Sequence, residues 1–141
     1  MQPLTYSRFS HYKLVDEDVE SAPVETFPFS DGAKFRGVGV INQPACQVVF
    51  EDFLPGADFA WTCWHDEVHF VTHGRAEITY YEPPMFEGSG KILAEPGSLY
   101  LVPRGTRMEW TVLEGPFRRF TVDFPNPGFP LNEPPSVAAG V

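Results

Sequence analysis

A short run of titratable residues near the middle of the chain has the residue types and the spacing for chemistry. Residues 65–69 read His-Asp-Glu-Val-His. On a β-strand, alternate side chains share a face, which would put His65, Glu67 and His69 on one side at intervals of about 7 Å. A carboxylate between two imidazoles is suited to general acid or base catalysis. We therefore predict Glu67, His69 and His65 as catalytic residues, and a raised pKa for Glu67 if it is buried without a partner.

The same residues could instead bind a metal. On a helix His65, His69 and His73 would share a face, and the segment resembles a zinc-protease helix at first sight. That motif needs Glu directly after the first His, where Asp66 stands, and the β-rich surroundings favour a strand. On a strand, His65, Glu67 and His69 are candidate ligands of one divalent transition metal in an unusual arrangement. The predicted cofactor is thus either none or one such metal, and His73 is predicted to face solvent.

Aromatic and sulfur-containing side chains in the predicted strands indicate an apolar pocket. Cys63 would be a nucleophile if His65 or His69 lowered its pKa. A free cysteine is, however, more often a small buried packing residue. Each of the large side chains could equally belong to the core, but together they suit a small organic substrate, including an aromatic one. The predicted substrate-binding residues are Trp61, Cys63, Tyr80, Tyr100, Met108 and Trp110.

Many short strands must position these residues. The chain contains 15 Pro and 12 Gly, and aromatic residues make up 15% of it, which is typical of an all-β protein. Gly and Pro interrupt every window that could carry an apolar helical stripe. The fold class is therefore all-β, as a sandwich or a barrel. The predicted strands are residues 35–41, 46–53, 68–72, 76–81, 99–102, 108–113 and 117–124, with turns that include residues 73–74 and 114–116.

Length and charge indicate one domain that acts on small molecules. The 141 residues suffice for a single core. We predict an extended N-terminal arm with edge strands over residues 1–30, a barrel over 31–124 and a Pro-rich tail over 125–141. The net charge of -9 disfavours nucleic acid and anionic membranes as partners. With two cysteines, no signal-like N-terminus and no membrane-length apolar run, we expect a cytoplasmic protein with reduced thiols.

Two segments resemble the motifs of the cupin family. Within residues 54–74 a Pro-Gly turn precedes Glu67, which is followed seven residues later by Gly74, as in the first cupin motif. Residues 97–105 read Gly, five residues, then Pro-x-Gly, as in the second motif. This resemblance covers most of residues 34–124. It implies a single-domain cupin, that is, a double-stranded β-helix or jelly-roll barrel, and a homodimer that covers its exposed edge strands.

The sequence departs from the metal-binding cupins at most of their ligand positions. Where those proteins carry His-x-His before the Glu, this chain has residues 60–63, Ala-Trp-Thr-Cys, and where they carry a later His it has Met108. Only Glu67 remains, and catalytic sites typically use three protein ligands. Residues 59–68 and 102–110 resemble the ethanolamine-utilisation protein Q branch, which also lacks most of these histidines. The acetate kinase activity proposed for the namesake is not implied, because the similarity covers only the barrel and we expect neither a phosphate-binding glycine loop nor a basic pocket residue at the matching site.

Three functions follow from these patterns. The first is an enzyme of lyase, isomerase or dehydratase type, with Glu67 as acid or base, the two flanking histidines as its partners, and Tyr80 or Tyr100 as a hydrogen-bond donor. The second is a metal-dependent cupin enzyme with a non-standard ligand set. The third is a non-catalytic small-molecule-binding or assembly module, which the lost ligand set and the Pro-rich tail favour.

Overall fold

The described part of the chain consists of one short helix and eight strands. The structure is a computed structural model that describes residues 6–27, 30, 32–84 and 90–128. The helix α1 spans Asp16–Glu20, and the strands are β1 Glu25–Thr26, β2 Lys34–Gln43, β3 Cys46–Phe53, β4 Asp58–Thr62, β5 Asp66–Tyr81, β6 Gly90–Ala94, β7 Leu99–Val102 and β8 Arg107–Phe124. Nowhere in these residues does a helix have the length and the apolar character that crossing a membrane requires. The predicted all-β class is confirmed.

The strands form one antiparallel sheet in which β8 is the hub. Their order is β1-β2-β3-β8-β5-β6, while β4 also pairs with β8 and β7 also pairs with β5. The strands β5 and β8 contain 16 and 18 residues and pair along most of their length. This long pairing brings residues of the middle of the sequence beside residues near its end.

The two long strands correct two predicted turns. Residues 73–74 and 114–116 were predicted to reverse the chain, but β5 and β8 continue through them, and β5 shifts its register against β8 in this region. Gly74 has a φ of +79°, and a Cβ there would collide with the carbonyl oxygens of Glu114 and Pro116. Glycine at this position therefore makes a bulge that bends a continuous strand.

Three elements were not predicted. The helix α1 lies in the arm that was expected to be extended, and it is held by its one buried residue, Val19. The strands β4 and β6 are only five residues long each, and they pair with β8 and β5. Such tertiary pairing overrides the weak local preference of a short segment. The predicted C-terminal tail lies mostly outside the described residues.

The two faces of the sheet carry separate apolar cores. The inner core includes Phe53, Phe59, Val71, Ile78, Trp110 and Phe117. A smaller outer core consists of Val19, Val38, Val40 and Phe50, and Val19 belongs to α1. Because side chains alternate along a strand, neighbours on β8 such as Arg118 and Arg119 face different cores.

Candidate functional site

A cavity of about 290 Å³ lies on the inner face of the sheet. Its apolar lining residues are Phe27, Val49, Phe59, Trp61, Met108 and Trp110. Its polar lining residues are Glu51, His65, Glu67, His69, Arg119, Thr121 and Asp123. An apolar cavity with a compact group of titratable side chains is typical of a small-molecule site.

Two buried carboxylates lie side by side in this cavity. Glu67 on β5 and Asp123 on β8 are register partners. His65 Nε2 lies 3.1 Å from Glu67 Oε2 and 3.5 Å from Asp123 Oδ2, so that one imidazole joins the two carboxylates. Asp123 Oδ1 is buried and has no hydrogen-bond partner among the described residues. The pair is therefore only partly satisfied by the protein itself.

The geometry fixes the protonation state of His69, which is fully buried. Its Nδ1 lies 2.7 Å from Arg119 Nη1, and its Nε2 lies 2.7 Å from Glu67 Oε1. A guanidinium only donates, so Nδ1 accepts, and the ring proton on Nε2 donates to Glu67. Burial and the charge of Arg119 lower the pKa of His69 to about 4. His69 is thus a neutral imidazole that orients Glu67.

Arg119 is held from several sides. Its Nη2 donates to Glu51 Oε1 at 3.1 Å. Its guanidinium carbon lies 3.9 Å from the Trp110 ring centroid and 5.1 Å from that of Phe53, which are cation–π distances. A guanidinium fixed in this way sets the orientation of His69, and through it the orientation of Glu67.

The surroundings move the pKa values of the two carboxylates apart. Burial alone would raise the pKa of Glu67, but the close contact with His65, the hydrogen bond from His69 and the charge of Arg119 together hold that pKa well below its usual range. Burial and the adjacent Glu67 charge raise the pKa of Asp123 to about 7. The carboxylate of Glu67 lies 3.1 Å from His65 Nε2 and raises the pKa of His65. The raised pKa expected for an unpartnered Glu67 therefore belongs to Asp123.

The structure distributes the predicted site residues over three places. The 290 Å³ cavity contains His65, Glu67, His69, Trp61, Met108 and Trp110. Tyr80 and Tyr100 line a second cavity of about 180 Å³, which Met108 also lines.

The third place is the protein core, which holds Cys63. This residue is a free cysteine that is 1% exposed. Burial and the charge of Glu67 raise the pKa of its thiol, which opposes the nucleophile hypothesis. The packing interpretation of Cys63 fits this position. His73 lies at the surface, as predicted, with a side chain that is 49% exposed.

The group of side chains that could hold a metal differs from the predicted one. Ligand atoms of His65, Glu67 and Asp123 all lie within 4.8 Å of one another. His69 was predicted as a ligand, but both of its ring nitrogens are occupied by Glu67 and Arg119. One imidazole nitrogen and two carboxylate oxygens fit a divalent transition metal. The unpartnered Oδ1 of Asp123 agrees with that fit.

Sequence reasoning missed Asp123 and Arg119. Alternation within the predicted strand 117–124 places both on one face, a signal that charged residues share a side of an otherwise apolar run. The pattern does not say which face turns inward. It also does not reveal the pairing of β8 with β5, which alone puts Asp123 beside Glu67.

Comparison with known proteins identifies the fold. No family model matches the sequence, and no curated protein matches it. KdgF from Halomonas sp. is 20% identical with a TM-score of 0.58, over 75% of this chain and 90% of that one. A protein assigned as ethanolamine utilization protein Q from Salmonella typhimurium LT2 is 21% identical with a TM-score of 0.58, over 89% of this chain and 97% of that one. A cupin superfamily protein from Desulfitobacterium hafniense DCB-2 is 15% identical with a TM-score of 0.53, over 64% of this chain and 76% of that one.

Identities this low show a shared fold and not a shared activity. The cupin fold and the likeness to protein Q, which the two sequence motifs predicted, are thereby confirmed.

Proposed function

We propose that this cupin is an enzyme that moves protons to and from a small organic substrate, in a reaction of lyase, isomerase or dehydratase type. One arrangement carries the proposal: Glu67 and Asp123, two buried carboxylates joined by His65, lie in a cavity with apolar walls. Titratable groups whose surroundings push their pKa values apart supply an acid and a base within one site.

The three residues of this arrangement take different roles. Asp123, with a pKa raised to about 7, gains and loses its proton near neutral pH and acts on the substrate as general acid or base. Glu67 stays ionised, accepts a hydrogen bond from His69 and lies 3.1 Å from His65 Nε2. His65 Nε2 lies between the carboxylates, where a proton on this nitrogen stabilises their negative charge. The acid–base role that the sequence assigned to Glu67 is thus proposed for Asp123.

The remaining lining residues position the site or bind the substrate. His69 contacts Glu67 and Arg119 contacts His69, so both act as positioning residues. Trp61 and Phe59 offer aromatic surface to the apolar part of a substrate. At about 290 Å³ the cavity is at the small end of ligand pockets, which favours a small substrate.

Deuterium exchange tests this function on many candidate substrates at once. The protein is incubated in D₂O with a panel of small carbonyl, hydroxy and carboxylic compounds, and incorporation is followed by mass spectrometry. Asp123→Asn should slow exchange into any compound that the wild type labels by about 10²–10⁴-fold, the usual contribution of a general acid or base. Asp58→Asn, at an exposed position of β4, is the matched control and should have no effect. Full activity of Asp123→Asn would overturn the assignment.

A second candidate function, metal-dependent catalysis, is favoured by the proximity of the ligand atoms of His65, Glu67 and Asp123. A divalent cation would supply Lewis-acid polarisation of a substrate oxygen. Elemental analysis of protein purified without chelator separates the two candidates. Stoichiometric metal that is lost in His65→Ala and kept in His73→Ala would favour the metal-dependent enzyme.

We further propose that the protein acts in the cytoplasm as a homodimer. Cys46 and Cys63 are both free, as is usual in a reducing compartment. Leu93 on β6 and Leu99 and Leu101 on β7 are exposed, and they offer apolar surface to a second copy of the chain. The mass in solution, measured by light scattering, tests the dimer.

A further inference from the structure

The 180 Å³ cavity adjoins the candidate active site through Met108, which lines both cavities. The register partner of Met108 on β4 is Trp61, which lines the 290 Å³ cavity. Its register partner on β5 is Tyr80, which lines the smaller cavity. One methionine side chain therefore stands between the two spaces. We call the smaller one the side chamber, defined by Ile78, Tyr80, Ile92, Tyr100, Val102 and Thr106.

A second part of the partition is a pair of rings in contact. His69 lines the active-site cavity and Tyr100 lines the side chamber. Their ring centroids are 4.9 Å apart in an edge-to-face arrangement. The Tyr100 ring, which lines the chamber, is thus in direct contact with His69, the residue that orients Glu67.

The side chamber has mostly apolar walls with one carboxyl side chain, Glu82, and the buried hydroxyls of Tyr100 and Thr106 both lack a hydrogen-bond partner among the described residues. Thr106 is 2% exposed, and its Oγ1 has no hydrogen-bond partner among the described residues. The backbone N–H of Thr106 donates to Pro103, and its carbonyl accepts from Cys63, so the hydroxyl alone remains free to bind. A buried hydroxyl left unpaired is costly, and an oxygen of a bound molecule would satisfy it.

The size of the chamber limits what it can hold. Its volume of about 180 Å³ slightly exceeds the roughly 150 Å³ of an engineered apolar protein cavity that binds benzene. One six-membered ring with a single substituent fits such a space. Ile78 and Ile92, which are register partners on β5 and β6, supply apolar surface for that ring.

We propose that the side chamber is the second half of the substrate site and takes a ring-sized apolar group bearing one hydrogen-bonding oxygen. The substrate then has two parts. Its reacting group lies at Glu67 and Asp123, and its ring lies in the side chamber with the ring's oxygen at Thr106. Met108, an unbranched and flexible side chain, moves aside to let one molecule occupy both spaces. This inference rests on the proposed function for what reacts, but not for what the chamber binds.

Phenol and benzene are suitable probes of the chamber in the full-length protein. Phenol should bind and shift the NMR signals of Ile78 and Ile92. Thr106→Val keeps the side-chain shape and removes the hydroxyl, so phenol affinity should fall about 5- to 10-fold, the effect of one hydrogen bond, while benzene affinity stays the same. Thr111→Val, at an exposed position of β8, should change neither affinity.

Two results would overturn the chamber proposal. One is phenol that shifts only signals of the active-site cavity, and the other is undiminished phenol affinity in Thr106→Val. Ile92→Trp provides a second variant, because it fills the chamber from a half-buried position and should abolish the binding of both probes.

The same variants separate this inference from the proposed function. Asp123→Asn should lose proton transfer and keep phenol binding. If Asp123→Asn stayed active while Thr106→Val lost phenol affinity, the acid–base function would fail and the chamber would stand. The opposite pair of results would overturn the chamber alone.

Discussion

Arg118 and Arg119 are consecutive residues of β8, both almost fully buried, yet they lie in two unlike charge clusters. Arg118 faces the outer core under α1, and Arg119 faces the cavity. Each has a carboxylate as its register partner on β3, Asp52 for Arg118 and Glu51 for Arg119. What separates the two clusters is how completely the charges are paired.

The outer cluster is closed. Arg118 makes two hydrogen bonds to Asp52, at 2.7 and 2.9 Å, and its Nη1 lies 3.2 Å from carboxylate oxygens of both Asp16 and Glu20. Arg36 Nε adds a bond of 2.9 Å to Asp52. Asp16 and Glu20 begin and end α1, so this cluster fastens the N-terminal arm to the sheet.

The inner cluster is open. Arg119 holds Glu51 and His69, and its Nε has no partner among the described residues. Glu67 and Asp123 share one imidazole, and Asp123 Oδ1 is unpartnered within the same part of the chain. Saturated ion pairs stabilise a fold, whereas titratable groups kept partly unsatisfied beside a cavity are available to a ligand.

The largest expected effect on stability comes from breaking the outer cluster. Asp52→Ala leaves Arg118 buried and without its main partner, so the free energy of unfolding should fall by about 3–5 kcal/mol. Urea unfolding measures the change, with Asp58→Ala at an exposed position as the control. A fall of less than about 1 kcal/mol in the free energy of unfolding would show that the outer cluster does not hold the N-terminal arm to the sheet.

Removing Arg119 should raise the pKa of His69. Arg119→Met frees Nδ1 of His69 and removes the charge that lowers its pKa, so this pKa should rise from about 4. We also expect a loss of about 2 kcal/mol of stability, because Glu51 is left buried without its partner. NMR titration of the imidazole measures the pKa. Arg118→Met is the matched control, and an equal rise of the His69 pKa in both variants would contradict the separation of the clusters.

The pH dependence of stability distinguishes Asp123. The pKa of Asp123 is 3.8 in an unperturbed side chain and about 7 in the folded protein. Between these values the folded protein keeps a proton that the unfolded chain has lost. The free energy of unfolding therefore falls as pH rises from about 4 to 7. Asp123→Asn lacks this loss and should gain about 1 kcal/mol or more on the wild type between pH 5 and pH 8.

Urea unfolding of both proteins at the two pH values tests this prediction. His69 has a lowered pKa, so its contribution is lost as pH falls from about 6.5 to 4, and that trend is common to both proteins. Parallel stability curves would contradict the raised pKa of Asp123.

The smallest effect is expected at the rim of the outer cluster. Arg36 has a side chain that is 20% exposed and makes one bond to Asp52. Arg36→Met should cost at most about 1 kcal/mol, the usual limit for an ion pair near solvent. Thermal unfolding measures the change, and catalysis should be unaffected. A loss as large as that in Asp52→Ala would mean that Arg36, and not Arg118, is the main partner.

The sequence predicted one half of the site. Strand alternation correctly put Glu67 and His69 on one face, which is the buried face of β5, and the spacing of glycines and prolines matched the cupin fold. The other half, Arg119 and Asp123, depends on the long pairing of β5 with β8. Local pattern carries no information about such pairing, because the two strands are separated in the sequence by β6 and β7.

The bends of the long strands were misjudged for a related reason. Gly74 and the residues around Gly115 have the composition of turns, and Gly74 does adopt a positive φ. Whether such a glycine reverses a strand or bends it depends on the partner strand that continues beside it. The site residues on the single strand β5 could therefore be predicted from the sequence, whereas the residues that reach the site through the pairing of β5 with β8 could not.

We expect Glu67 and Asp123 to lose their protons at different pH. Carbon-13 NMR of the side-chain carboxyl groups, assigned with Glu67→Gln and Asp123→Asn, follows both titrations in the ligand-free protein. We expect Asp123 to titrate near pH 7 and Glu67 to stay ionised into the acid range. Two carboxyl groups that both titrate between about pH 3 and 5, as in unperturbed side chains, would contradict the account.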